Sequence, residues 1–435
     1  MMLFLLSNLY VLIVAGIVYK YLFFHPKRIY SSIDGRFTYI NEAFRILLLF
    51  IVTTMADYQS NILFWGVYIV TILLINKKYN SGFHIVKSYF LVYYLFILWC
   101  FFTLFYSEYL QSGIMMIVKL IMPIFFYYLT KKALYDTSTI WILFEKIASC
   151  LYIYAAVGII SRIFGELLLA FNYFGMPISV IPLALYWKTK KAKYIILFFM
   201  CALPPLLALK RTPLLGIGFS TFFFLFCRYR LKAILPSVAA AMLSIVIFFS
   251  IPGFKERTFA KDVASEISIM ELLNWDVFNY VSSSGRHEMW NFVIDKFYIN
   301  HESIGCGLGT LKGYMVSPKN ENRVAFTLLH NDWLHLLCET GKIGVCLLAG
   351  FFILFLFKAF KYSSSKYPEN IRIISACCAG VIISTCIHMY FENCINSIIF
   401  FMPFVFLRIF QVCLDDYKKN LPFVKDGHTK KAPFR

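Results

Sequence analysis

A short polar stretch, FTLLHNDWLHLLCETGKIG at residues 326–344, runs directly into a long apolar segment. It contains His330 and Asn331, and His335 and Glu339 follow Asn331 at helical spacing. An imidazole titrates near neutral pH, so His330 is a candidate general base. A metal site built from both histidines and Glu339 is disfavoured, because a five-residue spacing turns the histidines to different helix faces. We therefore predict acid–base chemistry without a metal here.

Two groups of cationic residues precede this stretch. Lys210 and Arg211 stand in LLALKRTPLLGIG, where prolines can break the helices. Arg286 opens the amphipathic segment RHEMWNFVIDKF, which contains Trp290. Cations at a broken helix, or at a helix N-terminus with free backbone N–H groups, can hold a phosphate. The alternatives are basic side chains that extend to the membrane surface, and an interfacial helix with a solvated arginine.

The segment ESIGCGLGT carries alternating glycines at Gly305, Gly307 and Gly309. Because no βαβ unit is predicted around it, a nucleotide-binding loop is disfavoured. We expect a tight turn that lets the backbone approach a ligand or the membrane surface.

The composition indicates what kind of scaffold positions these residues. The 435-residue chain is 60% hydrophobic and 15% charged, which is too apolar for one soluble core. Its net charge of +19 is spread over short basic connectors, as expected of cytoplasmic loops, and therefore does not indicate a nucleic-acid partner. The 12 cysteines lie mostly in apolar segments without a CxxC motif, so we interpret them as packing residues.

The apolar segments predict an all-α polytopic membrane protein with about 12–13 transmembrane helices. The candidate spans lie near 2–24, 44–57, 60–76, 88–106, 113–130, 139–163, 166–187, 194–209, 213–227, 234–251, 340–358, 371–390 and 395–413. With the basic connectors in the cytoplasm, the loops ADYQSN, SEYLQSG and FENCIN fall outside and carry no lysine or arginine. The hairpin at Lys210 and Arg211 then faces the same outer compartment.

This topology divides the chain into four parts: an N-terminal helix bundle at 1–251, a long outer loop with short helices at 252–339, C-terminal spans at 340–413 and a basic cytoplasmic tail at 414–435. Acidic and basic residues nearly balance in the long loop, so its bulk charge is not predicted to attract polyanions. Long loops in tight bundles commonly carry function, and we expect the chemistry there.

The order of these motifs resembles a known family. HNDWLHLLCETGKIG contains His-Asn followed after nine residues by Gly-x-x-Gly, and KRTPLLG, GRHEMW and GCGLG precede it. Over residues 205–360 this pattern is similar to the O-antigen ligase and O-antigen polymerase superfamily of bacterial inner-membrane glycosyltransferases. The N-terminal half is similar only in being a helix bundle.

The resemblance implies a multi-pass inner-membrane enzyme that transfers glycan from undecaprenyl diphosphate at the periplasmic face, with inversion and without a cofactor, nucleotide sugar or metal. His330 would then be the base on the acceptor hydroxyl, and Arg286 and Arg211 would stabilise the leaving diphosphate. Lys210, Asn331 and Trp290 are expected to bind substrate. The implied partners are an undecaprenyl-diphosphate-linked oligosaccharide, an acceptor glycolipid, the lipid bilayer and a chain-length regulator protein.

Three functions remain open at this level. A polymerase, which we favour, adds the growing chain to another lipid-linked repeat unit, whereas a ligase moves the finished chain to a sugar of lipid A-core. The third is a transporter of lipid-linked sugars, for which Lys119, Glu145, Lys146 and Arg162 in or near spans would be suitable. The sequence shows no internal repeat of the kind that many transporters have.

Overall fold

The computed structural model describes residues 28–30, 33, 35, 37–55, 88–163, 177–250, 253, 256, 259, 286–317 and 328–420. In this part of the chain the regular structure is almost entirely helical, and the sheet is a short antiparallel hairpin of β1 (Arg28–Tyr30) and β2 (Phe37–Tyr39). The α-helices are α1 (Glu42–Met55), α2 (Ser88–Leu104), α3 (Leu110–Ala133), α4 (Thr137–Ile163), α5 (Val180–Thr189), α6 (Lys193–Leu207), α7 (Arg211–Tyr229), α8 (Ile234–Ser250), α9 (Arg286–Val293), α10 (Thr310–Val316), α11 (Asp332–Tyr362), α12 (Glu369–Phe391) and α13 (Met402–Lys419).

Several helical segments are long and apolar enough to cross a bilayer. Among the described residues these are Leu110–Ala133, Thr137–Ile160, Arg211–Ser244, Asp332–Tyr362 and Glu369–Phe391, and Phe90–Leu104 and Lys193–Leu207 are shorter apolar helices. These segments confirm the predicted all-α, multi-pass class. The spans predicted near 2–24 and 60–76, the first part of 166–187 and most of 251–285 lie outside the described residues.

The bundle packs around aromatic side chains that come from helices far apart in the sequence. Tyr93 of α2 is fully buried, and its ring centroid lies 4.7 Å from that of Phe404 in α13 and 5.1 Å from that of Phe351 in α11. Its hydroxyl donates to the carbonyl oxygen of Leu120 in α3 at 2.5 Å, which gives the buried polar group the partner it requires. These contacts hold α11 and α13, which border the site described below, against α2 and α3.

Helix α11 is broken at Gly341, where φ is 66° and ψ is −173°. The break separates a short polar part, 332–340, from the long apolar part of the span. The helix therefore begins at Asp332, eight residues before the span predicted from hydropathy, and the break at Gly341 falls inside it. A positive φ of this kind is easily adopted only by glycine.

The segment 302–307 restores the backbone hydrogen bonds that the break removes. The N–H groups of Lys342 and Ile343 donate to the carbonyl oxygens of Glu302 and Ser303 at 2.9 and 3.2 Å. In return, Cys338 and Glu339 of α11 accept from the N–H groups of Cys306 and Gly307 at 2.8 and 3.1 Å. Buried backbone groups need such partners, so this loop segment and the broken helix form one structural unit.

The glycine turn predicted from ESIGCGLGT is what makes this docking possible. Gly305, Gly307 and Gly309 all have positive φ, at 80°, 100° and 87°. A Cβ atom at Gly305 would lie 2.4 Å from the carbonyl oxygen of Glu339. The close approach is therefore made to protein backbone instead of the expected ligand or membrane surface: Gly305 lies against α11, and Gly307 and Gly309 lie against Ser107 and Gly113.

Candidate functional site

His330 lies two residues before the first residue of α11, Asp332. The next residue, Asn331, caps this helix: its Oδ1 atom accepts a hydrogen bond from the Leu334 N–H at 2.9 Å, and its backbone is extended. His330 itself has a φ of 51°, a conformation that is uncommon outside glycine. The chain thus turns sharply at the cap, and the His330 side chain, 36% exposed, is presented at the end of the bundle.

Asn331 is 4% exposed and its side-chain oxygen is engaged in the cap. The resemblance implied that Asn331 would bind substrate. The cap assigns Asn331 a positioning function for the His330 turn, and direct contact with a sugar stays a prediction.

The imidazole of His330 faces a carboxylate that lies 62 positions further along the chain. Its Nδ1 atom lies 3.2 Å from Oε2 of Glu392, the residue that follows α12. Burial raises the pKa of the Glu392 carboxyl, but the hydrogen bond with His330 and the positive charge of Arg286 outweigh that effect and lower the pKa overall. Glu392 is therefore an ionised partner of His330 at neutral pH.

Arg286 approaches the same turn from α9, of which it is the first residue. Its Nη1 atom donates to the carbonyl oxygen of Phe391 at 3.0 Å, next to Glu392. It also lies close enough to Arg211 for the two guanidinium groups to interact electrostatically. Arg211 begins α7, so the positive end of that helix dipole adds to the charge. Two guanidinium groups that approach one another are stabilised by an anion held between them.

Lys210 directly precedes Arg211 and is exposed. Helix α6 ends at Leu207, and the chain then turns through Leu209, whose φ is 53°. The Lys210 N–H donates to the carbonyl oxygen of Pro205 at 2.9 Å. The predicted helix break is thus present after Leu207, and it sets Lys210 and Arg211 at the entrance to α7.

Trp290 links α9 to the segment that carries His330. Its indole Nε1–H donates to the carbonyl oxygen of Leu329 at 2.9 Å, one residue before His330. Its ring packs edge to face with Tyr390, with the centroids 6.0 Å apart. Trp290 is half-buried, so the part of its ring that stays accessible can still contact a substrate. Its hydrogen bond also gives it a positioning function that the sequence did not indicate.

Hydrogen bonds with Asp332 and Lys119 hold the 391–396 turn. Asp332 is fully buried, and its Oδ2 atom accepts from the Ile395 N–H at 2.9 Å. Lys119 of α3 donates from Nζ to Oδ1 of Asn396 at 2.6 Å. Lys119 is one of the charged residues that kept a transporter open as an alternative, and its contact lies in the turn beside the candidate site.

His335 and Glu339 form a separate pair within α11. Nε2 of His335 lies 3.1 Å from Oε1 of Glu339, and both side chains are almost completely buried. The Lys312 N–H donates to the same Glu339 oxygen at 3.3 Å, which ties α10 to α11. Because both side chains are buried, the His335–Glu339 pair is suited to a structural function within α11. Across the described ranges, no group of three or more histidine, cysteine, aspartate or glutamate side chains is arranged to hold a metal ion.

The structure adds one functional candidate that the sequence did not reveal. Glu392 belongs to the loop FENCIN, which the sequence identified only as an outer loop without basic residues. Its partner His330 is 62 positions away, and no spacing rule links the two. The available signal was a carboxylate in the outer loop that follows a span, on the same side of the membrane as His330.

These observations define a class of protein: an all-α, multi-pass membrane protein in which a histidine and a glutamate pair where two helices begin and end, beside an arginine that interacts electrostatically with a second arginine. The family model described as O-antigen ligase matches residues 195–349. The match contains His330, Arg286 and Arg211 and ends before Glu392. The match covers about a third of the chain and supports the similarity to the O-antigen ligase and O-antigen polymerase superfamily that the motifs indicated. No curated protein matches the chain.

Proposed function

We propose that this protein is a surface-polysaccharide polymerase that joins oligosaccharide repeat units carried on undecaprenyl diphosphate, at the periplasmic face of the inner membrane. An acceptor hydroxyl attacks the anomeric carbon of the donor glycan with inversion. The new C–O bond forms as the bond to the diphosphate breaks, and the electron pair leaves with the diphosphate. The reaction needs a base for the hydroxyl proton and cations for the developing charge.

The observation that carries the proposal is the His330–Glu392 pair, with Arg286 bonded to the adjacent Phe391 carbonyl and in electrostatic interaction with Arg211. The partly exposed imidazole can reach an acceptor hydroxyl that arrives from water. Arg286 uses Nη1 for the Phe391 carbonyl, and its other N–H groups are suited to phosphate oxygens. Oriented donors of this kind contribute about 3 kcal/mol each in other enzymes. The candidate base His330 and the two arginines are the basis for proposing a reaction that needs no metal or cofactor.

The substrates fit the surroundings of these residues. The polyprenyl tail stays in the bilayer along the apolar helices, so its diphosphate lies at the membrane surface, where Arg211 begins α7. Lys210 is exposed beside it and is suited to the same anion. Trp290 offers a ring for sugar contact. A chain-length regulator protein is the proposed partner of the polymerase.

A ligase is the second candidate, because the match to the family described as O-antigen ligase is compatible with either enzyme. Both enzymes use the same donor and the same leaving group, and they differ in the acceptor. A polymerase uses a second lipid-linked repeat unit, whereas a ligase uses a sugar of lipid A-core.

The lipopolysaccharide of a deletion strain separates the two. A polymerase predicts lipid A-core that carries a single repeat unit. Bare core with accumulated lipid-linked polymer would establish the ligase instead, and an unchanged ladder of chain lengths would contradict both.

A further inference from the structure

We propose that Glu392 is the positioning residue of His330: it holds the imidazole by Nδ1 and thereby directs Nε2 to the acceptor hydroxyl. This inference rests on the proposed function, because it assigns a role within the same site. Nδ1 of His330 and Oε2 of Glu392 are 3.2 Å apart, within reach of a hydrogen bond. The His330 side chain is 36% exposed and that of Glu392 30%, so both are partly accessible to solvent.

The contact determines which nitrogen of His330 carries a proton. An ionised carboxylate can only accept hydrogen bonds, so Nδ1 must be the protonated nitrogen in the neutral imidazole. Nε2 then has the lone pair that a base requires. When the acceptor hydroxyl attacks, its proton moves to Nε2, and the resulting imidazolium is stabilised by the adjacent carboxylate. After the diphosphate leaves, the proton passes from Nε2 to water.

Glu392 is itself held rigidly, as a positioning residue must be. Its backbone N–H donates to the carbonyl oxygen of His388 at 2.7 Å, which ends α12. One residue earlier, Phe391 accepts from Arg286, and the next part of the turn is fixed by the bond from the Ile395 N–H to the carboxylate of Asp332. The turn is thus held from the α9 side and from the buried side of α11.

The charges around Glu392 keep the pair intact at neutral pH. Arg286 and His330 face the carboxyl and lower its pKa, whereas burial acts in the opposite direction. His388, one turn earlier in α12, also contributes to the lowering. The carboxylate form is therefore present wherever the enzyme works near neutral pH.

The test uses purified full-length protein in bilayers, a lipid-linked oligosaccharide as donor, and Glu392→Gln with Glu392→Asp. Because the Gln amide can donate as well as accept, it does not enforce the tautomer. We expect Glu392→Gln to lower kcat by about 100-fold or more with little change in KM, and Glu392→Asp to restore part of the loss. Glu302→Gln is the matched control, because Glu302 pairs with Lys342 in an exposed salt bridge and should leave kcat unchanged.

A second comparison separates positioning from general damage. In the His330→Ala background, Glu392→Gln should cause no further loss, because the residue acts through the imidazole. A wild-type kcat in Glu392→Gln, or an equal loss with and without His330, would overturn the proposal.

A spectroscopic readout keeps the inference testable if the proposed function is wrong. In protein labelled with 15N-histidine, solid-state NMR distinguishes the two imidazole tautomers, and the His330→Ala spectrum identifies the His330 signals. We expect the Nδ1–H tautomer in wild type and a loss of that preference in Glu392→Gln. An Nε2–H tautomer in wild type would overturn the positioning role even if transfer is observed. Absence of transfer with the expected tautomer would refute the proposed function alone.

Discussion

The break in α11 is expected to tolerate no side chain larger than hydrogen, and Gly341→Ala tests this. An alanine Cβ at this position would lie 2.3 Å from the carbonyl oxygen of Ser303 and 2.5 Å from the backbone nitrogen of Ile304. These are backbone atoms of the docked segment 302–307, so they cannot move aside as a flexible side chain could. The residue would also have to keep a positive φ of 66°.

The expected cost follows from these two conditions. Holding a non-glycine residue in such a backbone conformation costs about 1–3 kcal/mol. Relieving the contact means moving the segment away, which breaks the hydrogen bonds from the Lys342 and Ile343 N–H groups, each worth about 1 kcal/mol. Together, Gly341→Ala should lower the free energy of unfolding by about 3–5 kcal/mol.

The assay is unfolding in mixed micelles with increasing SDS, followed by tryptophan fluorescence. Gly218→Ala in α7 is the matched control, because Gly218 is exposed and a Cβ there meets nothing within 4 Å. Its free energy of unfolding should be unchanged or raised by up to about 1 kcal/mol. If Gly341→Ala were as stable as Gly218→Ala, the inference that the 302–307 segment is docked on the break would be refuted.

Two further predictions concern residues beside the base. Asn331→Ala should lower the free energy of unfolding by about 1 kcal/mol, because it removes the helix cap. Asn331→Asp keeps the cap and should retain both the thermal midpoint and glycan transfer. Loss of transfer in folded Asn331→Asp would indicate that the amide binds a sugar. Because the pKa of Glu392 is lowered below its ordinary value of 4.5, its stabilising contribution is fully present above pH 4.5 and is lost as the pH falls through the lowered pKa. The thermal midpoints of wild type and Glu392→Gln should therefore converge only in acid; a difference that disappears between pH 7 and 6 would contradict this assignment to Glu392.

The sequence was sufficient to predict the class of fold and to identify the polar segments at one end of the bundle. The apolar runs predicted most of the described spans, because length and hydropathy alone define a membrane helix. The turn at Gly305 followed from the alternating glycines of ESIGCGLGT. Asn331 could have been recognised as a helix cap from its place before the α11 pattern.

The contacts that connect distant segments could not be predicted in this way. His330 and Glu392 meet because α11 begins where α12 ends, and only the packing of these two helices brings the turn to the imidazole. The hydrogen bond from Trp290 to Leu329 likewise depends on how α9 docks beside the His330 segment. Neither contact leaves a periodic trace in the sequence, since each is made by residues tens of positions apart.

The most direct measurement is glycan transfer by the purified protein, with wild type compared with His330→Ala. Both are reconstituted in bilayers with a radiolabelled lipid-linked oligosaccharide. His301→Ala serves as the control, because His301 is an exposed histidine on the same loop. We predict that His330→Ala lowers turnover by about 100-fold or more while His301→Ala retains it, as expected when a general base is removed. Wild-type turnover in folded His330→Ala protein would contradict the assignment of His330 as the base.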